Sequence, residues 1–239
     1  SGLINEKVIR ILASGSLLIN TGRGGIIDSH PLLDRLRKKN DISVALDVWD
    51  SEPNISVALA EKADIATGHI AGNSYEGKRR AAAMLRRSYI KWRSDDSLES
   101  HVIKHTPQAI HIKNMRDPIN AIILSAYDVL EDDLEFRMAV LGDKNVGNAF
   151  DRYRKNYRTR YEFSHYLVSP SSETDAYLEA LGFPKTKLIP ATISAKCTVR
   201  SISLVTSIQL SNTDKSTLKK LFSKFIISLS LSLRFSILP

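Results

Sequence analysis

The chain has 239 residues, enough for one large domain or two small ones, and 43% of them are hydrophobic, a content typical of globular rather than disordered proteins. The formal net charge is +8, but it is concentrated at the carboxyl end. Residues 191–239 hold seven Lys and Arg side chains against Asp214 alone, a surplus of six that leaves two for the first 190 residues. The body of the chain therefore lacks the basic face of a nucleic-acid-binding protein, and no nucleic acid partner is predicted.

The cysteines and histidines of the chain further narrow the class of protein to which it can belong. Cys197 is the single cysteine, which excludes an internal disulfide and a cysteine-based metal site and predicts a reducing, cytoplasmic location. His101, His105 and His111 do not follow a metal-ligand pattern, so no metal is predicted. The most apolar stretch of the tail, residues 225–233, is too short to span a bilayer, and no membrane partner is predicted.

Short apolar runs alternate with helical patterns through the first 70 residues. Strands are predicted at Leu17–Asn20, Val44–Val48 and Asp64–Ala66, because each run is strand-length and rich in Val, Ile and Leu. Asn5 is predicted to cap a first helix, and Ser29 begins another. This alternation predicts an α/β fold with a parallel sheet covered by helices.

Three polar side chains follow the predicted strands directly. Arg23, Glu52 and His69 each lie just past a run. In an open parallel sheet, the loops after the carboxyl ends of the strands line the ligand crevice. We therefore expect an Arg, a Glu and a His to converge on one pocket.

A helical pattern covers residues 74–92, and a second unit is predicted over residues 101–190. Its aromatic residues from Phe150 to Tyr161 recur at helical spacing, which indicates a core or dimer face more often than RNA binding. Residues 191–239 are serine-rich and repetitive, which is typical of a low-complexity tail. The elements predicted in the second unit are a strand at 109–112, helices at 118–130 and 146–160, a strand at 166–168 and a helix at 173–181.

Three motifs in this order resemble the NAD-dependent D-2-hydroxyacid dehydrogenases. They are N-T-G-R-G-G-I-I-D at residues 20–28, D-V-W-D-S-E-P at 47–53 and H-I-A-G at 69–72. The resemblance implies a partial doubly wound, Rossmann-like parallel-sheet domain, followed by a small α+β dimerisation domain. It also implies NAD as cofactor.

The resemblance assigns a catalytic role to each of the three polar residues. His69 is expected to be the base that takes the hydroxyl proton, since an imidazole exchanges protons near neutral pH. Glu52 is expected to orient that imidazole. Arg23 is expected to bind the substrate carboxylate, because a guanidinium matches two carboxylate oxygens.

Binding residues are implied in the same way. Asp47 and Gly72 are expected to contact NAD. Asn73 is expected to contact the substrate, at a place where one branch of the family has a tyrosine directly after H-I-A-G; here Tyr75 lies two residues further on.

The resemblance also implies a domain plan. Residues 1–73 would be the carboxyl-terminal half of the NAD-binding domain, 74–100 a return helix to a substrate domain, 101–190 a dimerisation domain and 191–239 the tail. The motif G-x-G-x-x-G, which holds the pyrophosphate in such domains, does not occur in the chain. We therefore expect the carboxyl-terminal part of a longer enzyme, or a gene product that has lost its front.

The function expected from the resemblance is NAD-dependent oxidation of a small phosphorylated hydroxy acid by a homodimer, with this chain alone inactive. The run F-D-R-Y-R-K-N-Y-R-T-R-Y-E-F at 150–163 is similar to the dimerisation domain of that branch. Two alternatives stay open. One is another D-2-hydroxyacid dehydrogenase, such as phosphoglycerate dehydrogenase; the other is a non-catalytic remnant that acts only as a dimerisation module.

Overall fold

The computed structural model describes residues 2–93, 107–110, 118–168 and 175–184. The three histidines considered above and the tail at 191–239 lie outside these ranges. The described residues form two compact units: residues 2–72 with 128–158, and the remainder. The helices are α1 Glu6–Ile11, α2 Ser29–Lys38, α3 Val57–Lys62, α4 Tyr75–Arg93, α5 Pro118–Ala126, α6 Val129–Val140, α7 Val146–Lys155 and α8 Asp175–Leu181. The strands are β1 Leu17–Asn20, β2 Ser43–Leu46, β3 Ile65–Ala66, β4 Gln108–Ile110 and β5 Tyr166–Val168.

The first unit is built on a parallel sheet of three strands in the order β1-β2-β3. Leu18 pairs with Val44 and Leu46 pairs with Ala66, so all three strands end at the same edge. Val44 and Ala66 are fully buried, because helices cover the sheet. The parallel α/β arrangement predicted from the alternating pattern is confirmed.

Local sequence signals fix the helices around this sheet. Asn5 caps α1, its side chain accepting a hydrogen bond from the Val8 backbone N–H at 3.3 Å, as its position before the helix predicted. Ser56 caps α3 through the Leu59 N–H in the same way. A short 3₁₀ turn at Gly24–Ile26 separates β1 from α2.

Helices α6 and α7 also belong to the first unit, although they lie far along the chain. Phe136 of α6 and Phe150 of α7 are almost completely buried in the same core as the sheet and α1 to α3. The structure thus divides the chain differently from the predicted boundary at residue 100, because this helical hairpin buries its aromatic side chains against the first 72 residues.

The helix predicted at 118–130 is two helices in the structure. The break falls at Asp128, which caps α6 by accepting a hydrogen bond from the Leu130 N–H at 3.0 Å. The helix predicted at 146–160 ends at Lys155, where the Asn156 N–H bonds back to the Arg152 carbonyl.

The second unit contains a parallel pair of strands, β4 and β5, with α5 and α8. Ile110, Ile122, Val168, Leu178 and Phe183 form its core. Gly182 ends α8 with a left-handed backbone (φ 101°), the conformation that glycine commonly takes after a helix.

Helix α4 is the longest in the described part of the chain, and none of its residues is buried. Its apolar side chains Met84, Leu85, Tyr89 and Trp92 are at least half exposed, Trp92 most of all at 77%. At its start, the Glu162 carboxylate accepts hydrogen bonds from Ser74 at 2.7 Å and from Arg80 at 2.6 Å. Within the described residues, no helix is both long enough and apolar enough to cross a membrane.

Candidate active site

The loop that carries Arg23 begins where β1 ends. Asn20, the last residue of β1, is buried, and its side-chain amide braces the loop from inside. Its Oδ1 accepts a hydrogen bond from the Gly22 N–H at 3.1 Å, and its Nδ2 donates to the Arg23 carbonyl at 3.0 Å. This local bonding is an Asx turn, in which a short polar side chain takes the place of a backbone turn.

The Arg23 side chain itself points to solvent. Its guanidinium donates a hydrogen bond to the Gly22 carbonyl at 2.8 Å. Among the described residues, no carboxylate forms an ion pair with it. A guanidinium in this state can bind a carboxylate from solution through two parallel hydrogen bonds.

The Arg23 loop lies directly against the loop after β2. A Cβ added to Gly24 would come within 1.9 Å of the Trp49 carbonyl oxygen and 2.6 Å of the Asp50 nitrogen. Only glycine fits at this close approach of two backbones. Arg23 is therefore held next to the segment that leads to Glu52.

Glu52 and His69 are in direct contact. The Glu52 Oε2 lies 2.8 Å from the His69 Nδ1, and the Glu52 Oε1 accepts a hydrogen bond from the Trp49 backbone N–H at 2.8 Å. The two side chains are partly exposed, at 30% for His69 and 21% for Glu52. With Nδ1–H donating to the carboxylate, Nε2 is the free position at which this imidazole can accept a proton.

Left-handed backbone conformations occur at His69 itself and at the residue before Glu52. His69 has φ 58°, and Ser51, directly before Glu52, has φ 63°. Such conformations are uncommon outside glycine and cluster at functional sites, because only a well-braced loop maintains them. The backbone therefore marks the same two loops as the side-chain contacts do.

The loop of His69 is braced by Asp47 from inside the protein. Asp47 is 1% exposed, and its carboxylate accepts hydrogen bonds from the Thr67 hydroxyl at 2.6 Å and from the Ile70 and Ala71 N–H groups at 2.8 and 2.9 Å. Burial raises the pKa of this carboxyl, and the three hydrogen bonds oppose that shift. The His69 N–H also donates to the Asp47 carbonyl at 2.6 Å.

Gly72 and Asn73 follow this loop. Gly72 is exposed, and an added Cβ would meet no atom within 4 Å, so the backbone there is open to a ligand such as a cofactor. Asn73 is half-buried and begins the second unit. The binding roles of Asp47, Gly72 and Asn73 stay predictions, and within the chain both oxygens of Asp47 are already bonded.

The structure thus joins Glu52 to His69 and places Arg23 in the adjacent loop. It adds two residues that sequence reasoning missed. Asn20 had a signal, since an Asn two residues before a glycine is typical of an Asx turn. No sequence signal marked Trp49. Its backbone N–H bonds Glu52, and its indole N–H donates to the Thr67 carbonyl at 2.8 Å. Both bonds depend on how three loops meet, which the sequence does not show.

Comparison with known proteins finds two family models that match the chain. Residues 1–71 match the family model of the D-isomer specific 2-hydroxyacid dehydrogenase, NAD binding domain. Residues 103–182 match the model of a domain of unknown function. The resemblance predicted from the three motifs is confirmed, and residues 1–71 have the fold of the NAD-binding domain of those dehydrogenases. NAD is the cofactor of the family whose model matches.

Three similar curated proteins are named erythronate-4-phosphate dehydrogenase. The chain is 37% identical to the protein from Saccharophagus degradans over 191 aligned residues. This alignment covers 76% of the present chain and 49% of the relative. The chain is 34% identical over 194 residues to the protein from Cellvibrio japonicus, with 76% and 51% covered, and 35% identical over 190 residues to that of Escherichia coli K12, with 76% and 48% covered. The chain spans about half the length of the curated relatives it matches.

Proposed function

We propose that this chain contributes the acid–base half of the active site of an NAD-dependent dehydrogenase that oxidises 4-phospho-erythronate to the 2-oxo acid. This is the step towards pyridoxal phosphate that the resemblance implies. The observation that carries the proposal is the Glu52–His69 pair at 2.8 Å, next to a loop that presents Arg23 to solvent. A guanidinium that forms no ion pair with any described carboxylate, beside an imidazole–carboxylate pair, suits a substrate with a carboxylate and an adjacent hydroxyl.

The Nε2 atom of His69 accepts the proton of the substrate's 2-hydroxyl. Glu52, bonded to Nδ1, keeps the ring oriented and stabilises the imidazolium that forms, because a carboxylate nearby favours the charged imidazole. NAD, when bound, supplies the acceptor for the hydride that leaves C2. In the reverse direction the His69 imidazolium returns the proton to the oxygen.

Arg23 binds the substrate carboxylate and polarises the neighbouring oxygen at C2. Its loop is fixed at the base by Asn20, and its side chain is exposed, so the guanidinium is available while its backbone is held. Gly72 would lie against the cofactor with its open backbone. Asp47 would act at the nicotinamide end, where it also holds the loop of His69 in place.

The partners proposed follow from the same resemblance. They are a small phosphorylated hydroxy acid, contacted in part by Asn73, and a second copy of the chain in a homodimer. The cytoplasmic location expected from the single cysteine belongs to this proposal. Light scattering of the purified chain tests the dimer, and a monomer mass at micromolar concentration would contradict it.

The experiment that tests the function joins this chain to the amino-terminal half of the Escherichia coli relative and measures NADH formation from 4-phospho-erythronate. We expect turnover, and we expect His69→Asn to lower kcat by about 10²- to 10⁴-fold, the usual contribution of a positioned acid–base group. His30→Asn is the matched control, because His30 is an exposed histidine on α2 that is not among the residues proposed for catalysis or binding.

Turnover that His69→Asn leaves near the parent value would refute the role of His69. A folded joined protein without turnover on this substrate would refute the proposed reaction and favour the alternative of a non-catalytic dimerisation module.

A further inference from the structure

The hairpin of α6 and α7 lies, by sequence, within the segment that matches a domain of unknown function. In the structure it packs into the first unit, against the loops that follow β2 and β3. Three of its contacts involve residues that lie close to Glu52 or His69 in the chain.

The first place is the end of β3. The Asp133 Oδ1 accepts a hydrogen bond from the Ala66 N–H at 2.6 Å, three residues before His69. Arg137 bonds both oxygens of Asp133 at 2.9 Å and donates to the carbonyls of Ala63, at 2.8 Å, and Ala60. Helix α6 therefore bonds both the last residue of β3 and the chain that leads into this strand.

The second place is Gly68, which directly precedes His69. A Cβ at this position would lie 2.6 Å from the Tyr153 ring of α7 and 2.9 Å from the Phe136 ring of α6. The two rings contact each other edge to face, with centroids 5.3 Å apart. The backbone before His69 thus packs directly against two aromatic rings, one from each helix.

The third place is the loop of Glu52. The Trp49 ring stacks on Phe136 with centroids 5.8 Å apart, and Trp49 in turn bonds Glu52 and the Thr67 carbonyl. Further along this loop, the Asn54 side chain lies so close to the start of α7 that a Cβ on Gly147 would approach its Oδ1 to 2.5 Å.

We infer that the α6–α7 hairpin is a positioning element for the Glu52–His69 pair. Within it, Tyr153 fixes the position of the His69 loop by packing against Gly68. The inference rests on the catalytic roles proposed above. It assigns a task to part of a segment that was expected to serve dimerisation. Tyr153 itself is a positioning residue, since it acts on His69 through Gly68.

The test uses nitrogen-15 spectra of the histidine side chains in the full chain. Glu52 accepts from Nδ1, so the parent protein should show His69 in a single Nδ1–H tautomer. His69→Gln identifies its signals among those of the six histidines. Tyr153→Leu removes the flat ring under Gly68, and we expect the single tautomer to be lost and replaced by an averaged signal.

Two variants serve as controls. Tyr153→Phe keeps the ring and loses only the hydroxyl bond to the Asp132 carbonyl at 3.3 Å, so it should retain the parent tautomer. Ile9→Ala removes a buried side chain of α1 from the same core, and it should lower the melting temperature without changing the His69 signals.

A folded Tyr153→Leu protein with unchanged His69 signals would overturn the inference, and so would an equal change in Ile9→Ala. If Tyr153→Leu does not fold, Gly68→Ala tests the same contact from the loop side, with the same expected loss of the tautomer. The measurement involves no turnover, so its failure and the failure of the proposed reaction can be told apart.

Discussion

Among single residues, Gly24 controls how closely the Arg23 loop approaches the loop of Glu52. Gly24→Ala should destabilise the chain by about 1–3 kcal/mol, as overpacking does, because its Cβ would meet the Trp49 backbone, which has little freedom to move. Gly25→Ala is the matched control, since a Cβ there would meet no atom within 4 Å. Thermal unfolding of both variants measures the difference; equal melting temperatures would show that the two loops separate easily.

A second residue with a measurable effect is Asp41, which pairs with the buried Arg35 at 3.0 Å. Hydrogen bonds from Arg35 and then Ser14 lower the pKa of the Asp41 carboxyl to about 2. A carboxyl whose pKa is lower in the folded than in the unfolded state stabilises the folded protein at every pH above its unfolded pKa of about 3.9. This stabilisation is lost as the pH falls through the folded-state pKa.

Asp41→Asn should therefore flatten the acid limb of the stability–pH profile between about pH 4 and pH 2. It should also lower the melting temperature at neutral pH, because Arg35 loses its charged partner. Asp34→Asn, which breaks an exposed pair with Lys38, is the control and should have the smaller effect. An unchanged acid limb in Asp41→Asn would contradict the assignment.

At the scale of elements, Arg137 joins α6 to the chain around β3. Arg137→Lys should lower the free energy of unfolding by about 1–3 kcal/mol, because a single ammonium cannot bond Asp133 and two separate carbonyls at once. Urea unfolding measures the change. Arg152→Lys alters an exposed pair with Asp143 and should stay within about 0.5 kcal/mol of the parent; a similar loss in both variants would mean that α6 is not held by this fork.

The elements also show what the sequence could predict. Strands and helices up to residue 93 follow from short apolar runs and capping residues, and the structure has them within a few residues. The separation of α5 from α6 was missed, although Asp128 followed by Glu131 and Asp132 is typical of a helix start. The position of the α6–α7 hairpin could not be predicted, since it depends on Phe136 and Tyr153 meeting loops about 70 to 90 residues away in sequence.

The same limit applies to the site. Strand-end placement was enough to expect Glu52 and His69 near each other, because parallel strands end at one edge. The bracing by Trp49 and Asp47 was beyond sequence reasoning, since a buried hydrogen bond needs coordinates to be seen. The chemical roles of all these residues stay predictions until turnover is measured.

For the whole molecule, we expect that this chain alone does not bind NAD with micromolar affinity. The first unit supplies three parallel strands, and the chain has no G-x-G-x-x-G turn to hold the pyrophosphate. Calorimetric titration of the chain with NAD measures the affinity, and the joined protein described above is the positive control. Micromolar binding by the chain alone would show that the strand-end loops suffice.

The two tryptophans differ completely in their surroundings, and this gives the protein an optical reporter. Trp49 is 4% exposed between Phe136 and the Thr67 carbonyl, whereas Trp92 is 77% exposed. Since the chain has two tryptophans, Trp92→Phe would leave an emission spectrum that comes from Trp49 alone. A ligand that disturbs the loops of Glu52 or His69 would then shift the colour or intensity of that light, so that binding could be followed in real time without a label.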